Sequence, residues 1–276
     1  MSALLLALSL AAQAAVPAAD LAALGRARAL EGPALETALQ SPDWAVALGA
    51  QVARVEADRP ELARSLQRLA PIPTRAGTLR FSGPLLRESG AAPVLLARLV
   101  EGADSAELRI ALADAASRSA GDWQPTVAAL AQVESDAAVR RMLVEVLDKG
   151  PLELVEAPLA AATRDLDAGV RAAAARAIGG HEQGAALGAA LVPLVSDSSV
   201  EVRVEACRSL GWLGVADGWS ALVAAISDDS PEVRLRALRA LQRIDAGRAA
   251  QLSQVRAAAQ DADKKVARAA GQILGG

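Results

Sequence analysis

Apolar and polar positions in the second half of the chain follow a pattern that returns every 31 to 33 residues. In each copy a short polar stretch leads to a valine. Small or apolar residues then fall four, seven and eight positions later, as in Val170, Ala174, Ala177 and Ile178, or Val233, Ala237, Ala240 and Leu241. This spacing paints one stripe along a helix of 3.6 residues per turn. The anchoring valines are Val170, Val202, Val233 and Val266, at intervals of 32, 31 and 33, and the series runs back at intervals of 31 through Val139 to Leu108. A shorter apolar segment precedes each of these helices, over 125–133, 152–162, 185–195, 219–226 and 248–259. Each unit is therefore predicted to be a pair of helices. A pair this small cannot bury its own stripe, so units must stack and share one core.

The punctuation between helices is regular. Asp or Ser ahead of the second helix suits an N-cap, Pro231 suits a first turn, and Gly179 and Gly211 are expected to end their helices as left-handed residues. Asp165, Asp197, Asp228 and Asp261 stand five residues before their anchors, and Arg171, Arg203 and Arg234 directly follow theirs. Aspartate and arginine thus recur at a fixed offset of six and form two columns in a stack. The expected role is structural, a ladder between repeats in which each sheltered charge-assisted bond is worth roughly 1.5–3 kcal/mol. Ala267 replaces the arginine in the last unit, where no later unit would receive the bond.

Leu191, Pro193, Asp197, Val202, Arg203, Ala206, Leu210 and Gly211 together resemble the HEAT and HEAT-like (phycobilin lyase-type) repeat family, over 90–276 closely and 33–88 more weakly. The resemblance implies an all-α, right-handed α-solenoid of about seven or eight helical hairpins. It also implies first helices on the convex side and second helices lining the concave side. Residues 91–276 would hold six clear units. Residues 15–90 would be degenerate terminal repeats, with helices over 33–40, 44–56 and 60–69 and an irregular segment at 71–90. Met1 to Val16 is apolar and uncharged, and Ala12, Gln13 and Ala14 fit a small-x-small cleavage pattern. Residues 1–14 are accordingly expected to be a signal peptide that directs the chain to the periplasm or outside the cell; the alternative is an Ala/Leu capping helix on a cytoplasmic protein.

Composition narrows the chemistry. Hydrophobic residues make up 53% of the chain but aromatics only 2%, which suits closely approaching small side chains. Trp44, Trp123, Trp212 and Trp219 are expected to pack at turns, the alternative being a hot spot for partner binding. A net charge of −3 gives no broad attraction for nucleic acid, which also argues against a likeness to DNA-repair solenoids. The single Cys207 excludes an intramolecular disulfide and reads as a plain helix residue. The single His181, in the turn after Gly179 and Gly180, is expected to be solvated. Iron-dependent deoxyhypusine hydroxylases share this architecture and need several His–Glu pairs; Val202 to Ala206 resembles that motif, but a valine, Val204, stands directly before Glu205 where the histidine belongs. No catalytic residue, metal or cofactor is expected.

Six residues after each anchor, the second helices carry Asp114, Glu145, Arg176, Arg208, Arg239 and Gln272, with Arg236 and Arg243 near the basic end. Arg176, Arg208, Arg239 and Arg236 are the candidate partner-binding residues, facing an acidic segment of another protein. The expected function is a non-enzymatic scaffold that binds a partner protein along its second helices, with no nucleic acid and no membrane insertion of the mature chain. The alternative is an accessory subunit of a phycobilin lyase-like or other chromophore- or small-molecule-modifying enzyme.

Overall fold

Every regular element among the described residues is helical, as the 3.6-residue stripes require. The computed structural model describes residues 18–58, 92–101 and 106–275. The expected signal peptide at 1–14, the helix over 60–69 and the irregular segment at 71–90 lie outside the described residues. The chain divides into a first unit, Met1–Leu130, and a second, Ala131–Gly276.

The first unit contains α1 (Ala18–Arg28), α2 (Gly32–Leu39), α3 (Trp44–Asp58), α4 (Ala92–Val100), α5 (Ala106–Arg118) and the start of α6 (Gln124–Val133). Asp43 opens α3 by accepting from the Ala45 and Val46 amides at 2.9 and 3.2 Å. Helix α1 packs on α3 with Ala23 and Ala27 buried. No sequence signal marks it, because a stripe built of alanine carries little hydropathy contrast.

The second unit contains α7 (Ala137–Val146), α8 (Leu152–Ala162), α9 (Ala168–Gly180), α10 (Gly188–Leu191), α11 (Val200–Leu213), α12 (Trp219–Ala225), α13 (Pro231–Ala250), α14 (Ser253–Ala258) and α15 (Lys264–Gly275). The second helices α7, α9, α11, α13 and α15 pack each upon the next, and α8, α12 and α14 pack on the helices that follow them. Val139, Val170, Val202, Val233 and Val266 are all buried, so the anchor column is the spine of the shared core. Burying each such side chain contributes about 1.5–3 kcal/mol.

Three local expectations are corrected. Gly179 and Gly211 do not end helices in the left-handed region; they lie within α9 and α11, and α11 ends on Gly214 at φ 66°. Their role is close approach. A Cβ on Gly179 would sit 2.6 Å from the Ser209 Cβ, and one on Gly211 would sit 2.6 Å from the Ala240 Cα. The 185–195 helix is broken into one-turn 3-10 segments on either side of α10; on the C-terminal side Pro193 has no amide to donate. The 248–259 helix is also divided. Arg248 to Ala250 finish α13 beyond a non-helical Asp245 (φ −160°, ψ 97°), and α14 starts afresh at Ser253.

Candidate functional site

Arg140, Arg171, Arg203 and Arg234, each directly after its anchor, are placed by the first turn of their helices and reach the next unit. Arg140 grips Asp165 through Nε and Nη2 at 2.9 and 3.0 Å, and Arg171 grips Asp197 at 2.7 and 2.8 Å. Arg203 holds Asp228 at 2.7 and 2.9 Å, and Arg234 holds Asp261 at 2.8 Å through both nitrogens. Each Nη1 turns back to two carbonyls of its own unit, in Arg203 those of Asp197 and Ser198. Each aspartate also accepts the amide two residues on, as Asp228 does from Ser230 at 2.8 Å. One residue pair therefore ties a turn to itself and to its neighbour. Caps divide by residue type: Asp136, Asp167 and Asp263 cap their helices, whereas Ser199 and Ser230 occupy the cap position with no side-chain bond.

The forks set the acid response. Bonds from Arg140, Arg171 and Arg234 hold the carboxyls of Asp165, Asp197 and Asp261 below the ordinary aspartate value. At Asp228 burial pushes upward, but the Arg203 fork and the Ser230 amide together leave it lowered as well. Groups depressed in the folded state stabilise it above the unfolded value, and that stability is lost as pH falls through the folded values. The thermal midpoint should therefore drop steeply once pH falls below about 4. Circular dichroism melts across the acid range check this, and an unchanged midpoint down to about pH 2 would contradict it.

His181 is not solvated. It is buried, its Nδ1 accepts the Gln183 amide at 3.0 Å, and its Nε2–H therefore donates to the Gly150 carbonyl at 2.8 Å. Both ring nitrogens are spent pinning one turn to the preceding one. Cys207 is fully buried, and burial pushes its thiol up to about 12, away from thiolate chemistry.

The cationic column does not behave as one stripe. Arg176 is drawn into a carboxylate cluster, with Glu145 at 3.4 Å, Glu201 at 3.6 Å and Glu205 at 3.4 Å. Arg208 meets Glu205 at 3.4 Å, and Arg236 meets Glu232 at 3.1 Å. Arg239 is exposed and has no ion pair among the described residues. Arg208, Arg236, Arg239 and Arg243 line a half-open groove of about 420 Å³ between α11 and α13, floored by Gly211 and Ala240 and walled by Trp212. The Arg243 guanidinium lies 4.6 Å from the Trp212 ring centroid. Trp44, Trp123 and Trp219 are buried, but Trp212 is 65% exposed, so it does not pack at a turn as expected. The sequence held a signal for this: Trp212 and Arg243 each stand ten residues after their anchors, at matching positions on adjacent second helices.

HEAT repeats are matched over residues 155–229 and again over 188–275. No curated protein matches the chain. Among solved structures, Escherichia coli YibA is 16% identical at a TM-score of 0.54, covering 96% of this chain and 89% of its own. An engineered protein is 19% identical at a TM-score of 0.51, covering 97% and 82%. At these identities the likeness is one of fold. The CpcE–CpcF complex of phycocyanin lyase from Nostoc sp. aligns at 18% identity over 90% of this chain and 96% of its own, with a TM-score of only 0.34.

Proposed function

We propose that the protein is a non-enzymatic scaffold that binds a partner protein along its second helices, a reading supported by the HEAT-repeat match over residues 155–275. The observation that carries this reading is the contrast between used and unused side chains. The anchor valines are buried in the shared core, and the post-anchor arginines from Arg140 to Arg234 are spent on the ladder. Arg239, Arg243 and Trp212 face solvent from the same helices. The chemistry of His181, committed at both nitrogens, and of Cys207, a buried thiol, supports the non-enzymatic part of this reading.

Affinity purification of the full chain from its source, with mass spectrometry and an absorption spectrum of the product, tests the reading. The expected product is a colourless complex with a stoichiometric protein. On reconstitution, that protein should slow hydrogen exchange on α9, α11 and α13. A bound pigment or other small molecule with no protein companion would favour the accessory-enzyme alternative and overturn the proposal.

A further inference from the structure

We infer that the groove between α11 and α13 is the docking site for an acidic polypeptide segment, one that sets carboxylates on Arg239 and Arg243 and an apolar side chain on Trp212; this rests on the scaffold reading. Close approach of the helices makes the groove. Gly211 has no side chain and faces Ala240, so the long side chains on either side stand up as walls around a shallow floor. Arg236, Arg239 and Arg243 fall three and then four residues apart on one face of α13, opposite Arg208 and Trp212 on α11. Within the chain, Glu205 and Glu232 answer Arg208 and Arg236. The Arg239 and Arg243 guanidiniums are answered by no carboxylate among the described residues, and that excess of positive charge defines the complement.

The neighbourhood selects the class of anion. A nucleic acid strand needs a long basic track, because its phosphates follow one another every few ångströms. Here the track stops one helix away, where Arg176 is enclosed by Glu145, Glu201 and Glu205, and the exposed Glu232 sits on the groove-lining Arg236. A segment with spaced carboxylates tolerates that boundary; a continuous polyanion is repelled by it. Trp212 adds the apolar element. An exposed indole already stacked by a guanidinium offers flat amphipathic area, the usual anchor of a recognition patch.

The test uses the full chain and fluorescein-labelled peptides in an anisotropy titration. One peptide intersperses Glu and Phe, and a second replaces each Glu by Gln. An oligothymidylate and citrate serve as competing anions. The Glu/Phe peptide should bind saturably and the Gln peptide should not. Joint replacement Arg239→Glu and Arg243→Glu should weaken binding about tenfold or more. Trp212→Ala should weaken it severalfold, and Arg164→Glu on an exposed turn should leave it unchanged. These side chains are exposed, so the variants should keep the wild-type melt; if the double reversal does not fold, Arg239→Gln takes its place. No saturable peptide binding, binding indifferent to the reversals, or displacement by oligothymidylate at lower concentration than by peptide would each overturn the assignment. Citrate binding without peptide binding would also overturn it, as a small-anion site. If the native partner protects α9, α11 and α13 yet ignores the reversals, the scaffold reading stands and only this docking site fails.

Discussion

Replacing Arg203 with alanine should lower the unfolding free energy of the chain by about 3 kcal/mol or more. Four bonds end at this guanidinium, two to Asp228 and two to the carbonyls of Asp197 and Ser198. Both charged side chains are sheltered, at 15% and 12% exposure, so removing the arginine strands a desolvated carboxylate. Water reaches the remainder, which places the effect towards the lower end of the range for breaking a buried pair. Arg203→Lys should recover little, since an ammonium cannot reproduce the two parallel bonds of the fork. Arg176→Ala is the contrast. That arginine is 37% exposed, with contacts of 3.4 to 3.6 Å, and its loss should cost no more than about 1 kcal/mol. Urea unfolding of the three variants beside the parent measures these differences.

Gly211→Ala is expected to destabilise, although alanine inside a helix normally gains about 0.5–1 kcal/mol over glycine. The new Cβ would stand 2.6 Å from the Ala240 Cα, a backbone atom that cannot rotate away. Helices α11 and α13 would have to separate, with a net loss of about 1–3 kcal/mol as in other overpacked cores. Gly271→Ala isolates the intrinsic term: it lies in α15, and nothing stands within 4 Å of the place its methyl would take. That variant should be as stable as the parent or gain up to about 1 kcal/mol. Opposite signs at the two glycines, read from thermal melts, distinguish close packing from helix propensity.

The period of the repeat was the most legible feature of the sequence, because stacking forces each anchor valine into the same buried environment. The aspartate and arginine columns were legible for a related reason: a fixed offset on stacked units puts them on facing edges. What escaped were the contacts with the neighbouring unit that no recurring offset marks. Gly179 and Gly211 look like helix ends along the sequence, and only the approach of Ser209 and Ala240 assigns them to packing. His181 looks like a polar turn residue until the Gly150 carbonyl is brought to its ring. Arg176 and Arg239 occupy equivalent positions after their anchors, yet Glu145, Glu201 and Glu205 gather around the first and leave the second exposed. Residue type alone groups Trp212 with three buried tryptophans, whereas its place on the solvent-facing side of α11 makes it the wall of the groove.

Neighbouring hairpins are held in register by arginine forks, and that register presents the groove between α11 and α13. A double-mutant cycle on Arg203 and Asp228, using Arg203→Ala, Asp228→Ala and the pair together in urea unfolding, addresses this most directly. A fastening contact between units predicts a coupling energy of about 1.5–3 kcal/mol, with the double variant losing less than the two single losses combined. Additive losses within about 0.5 kcal/mol would mean that the two residues act independently and that the ladder does not hold the units together.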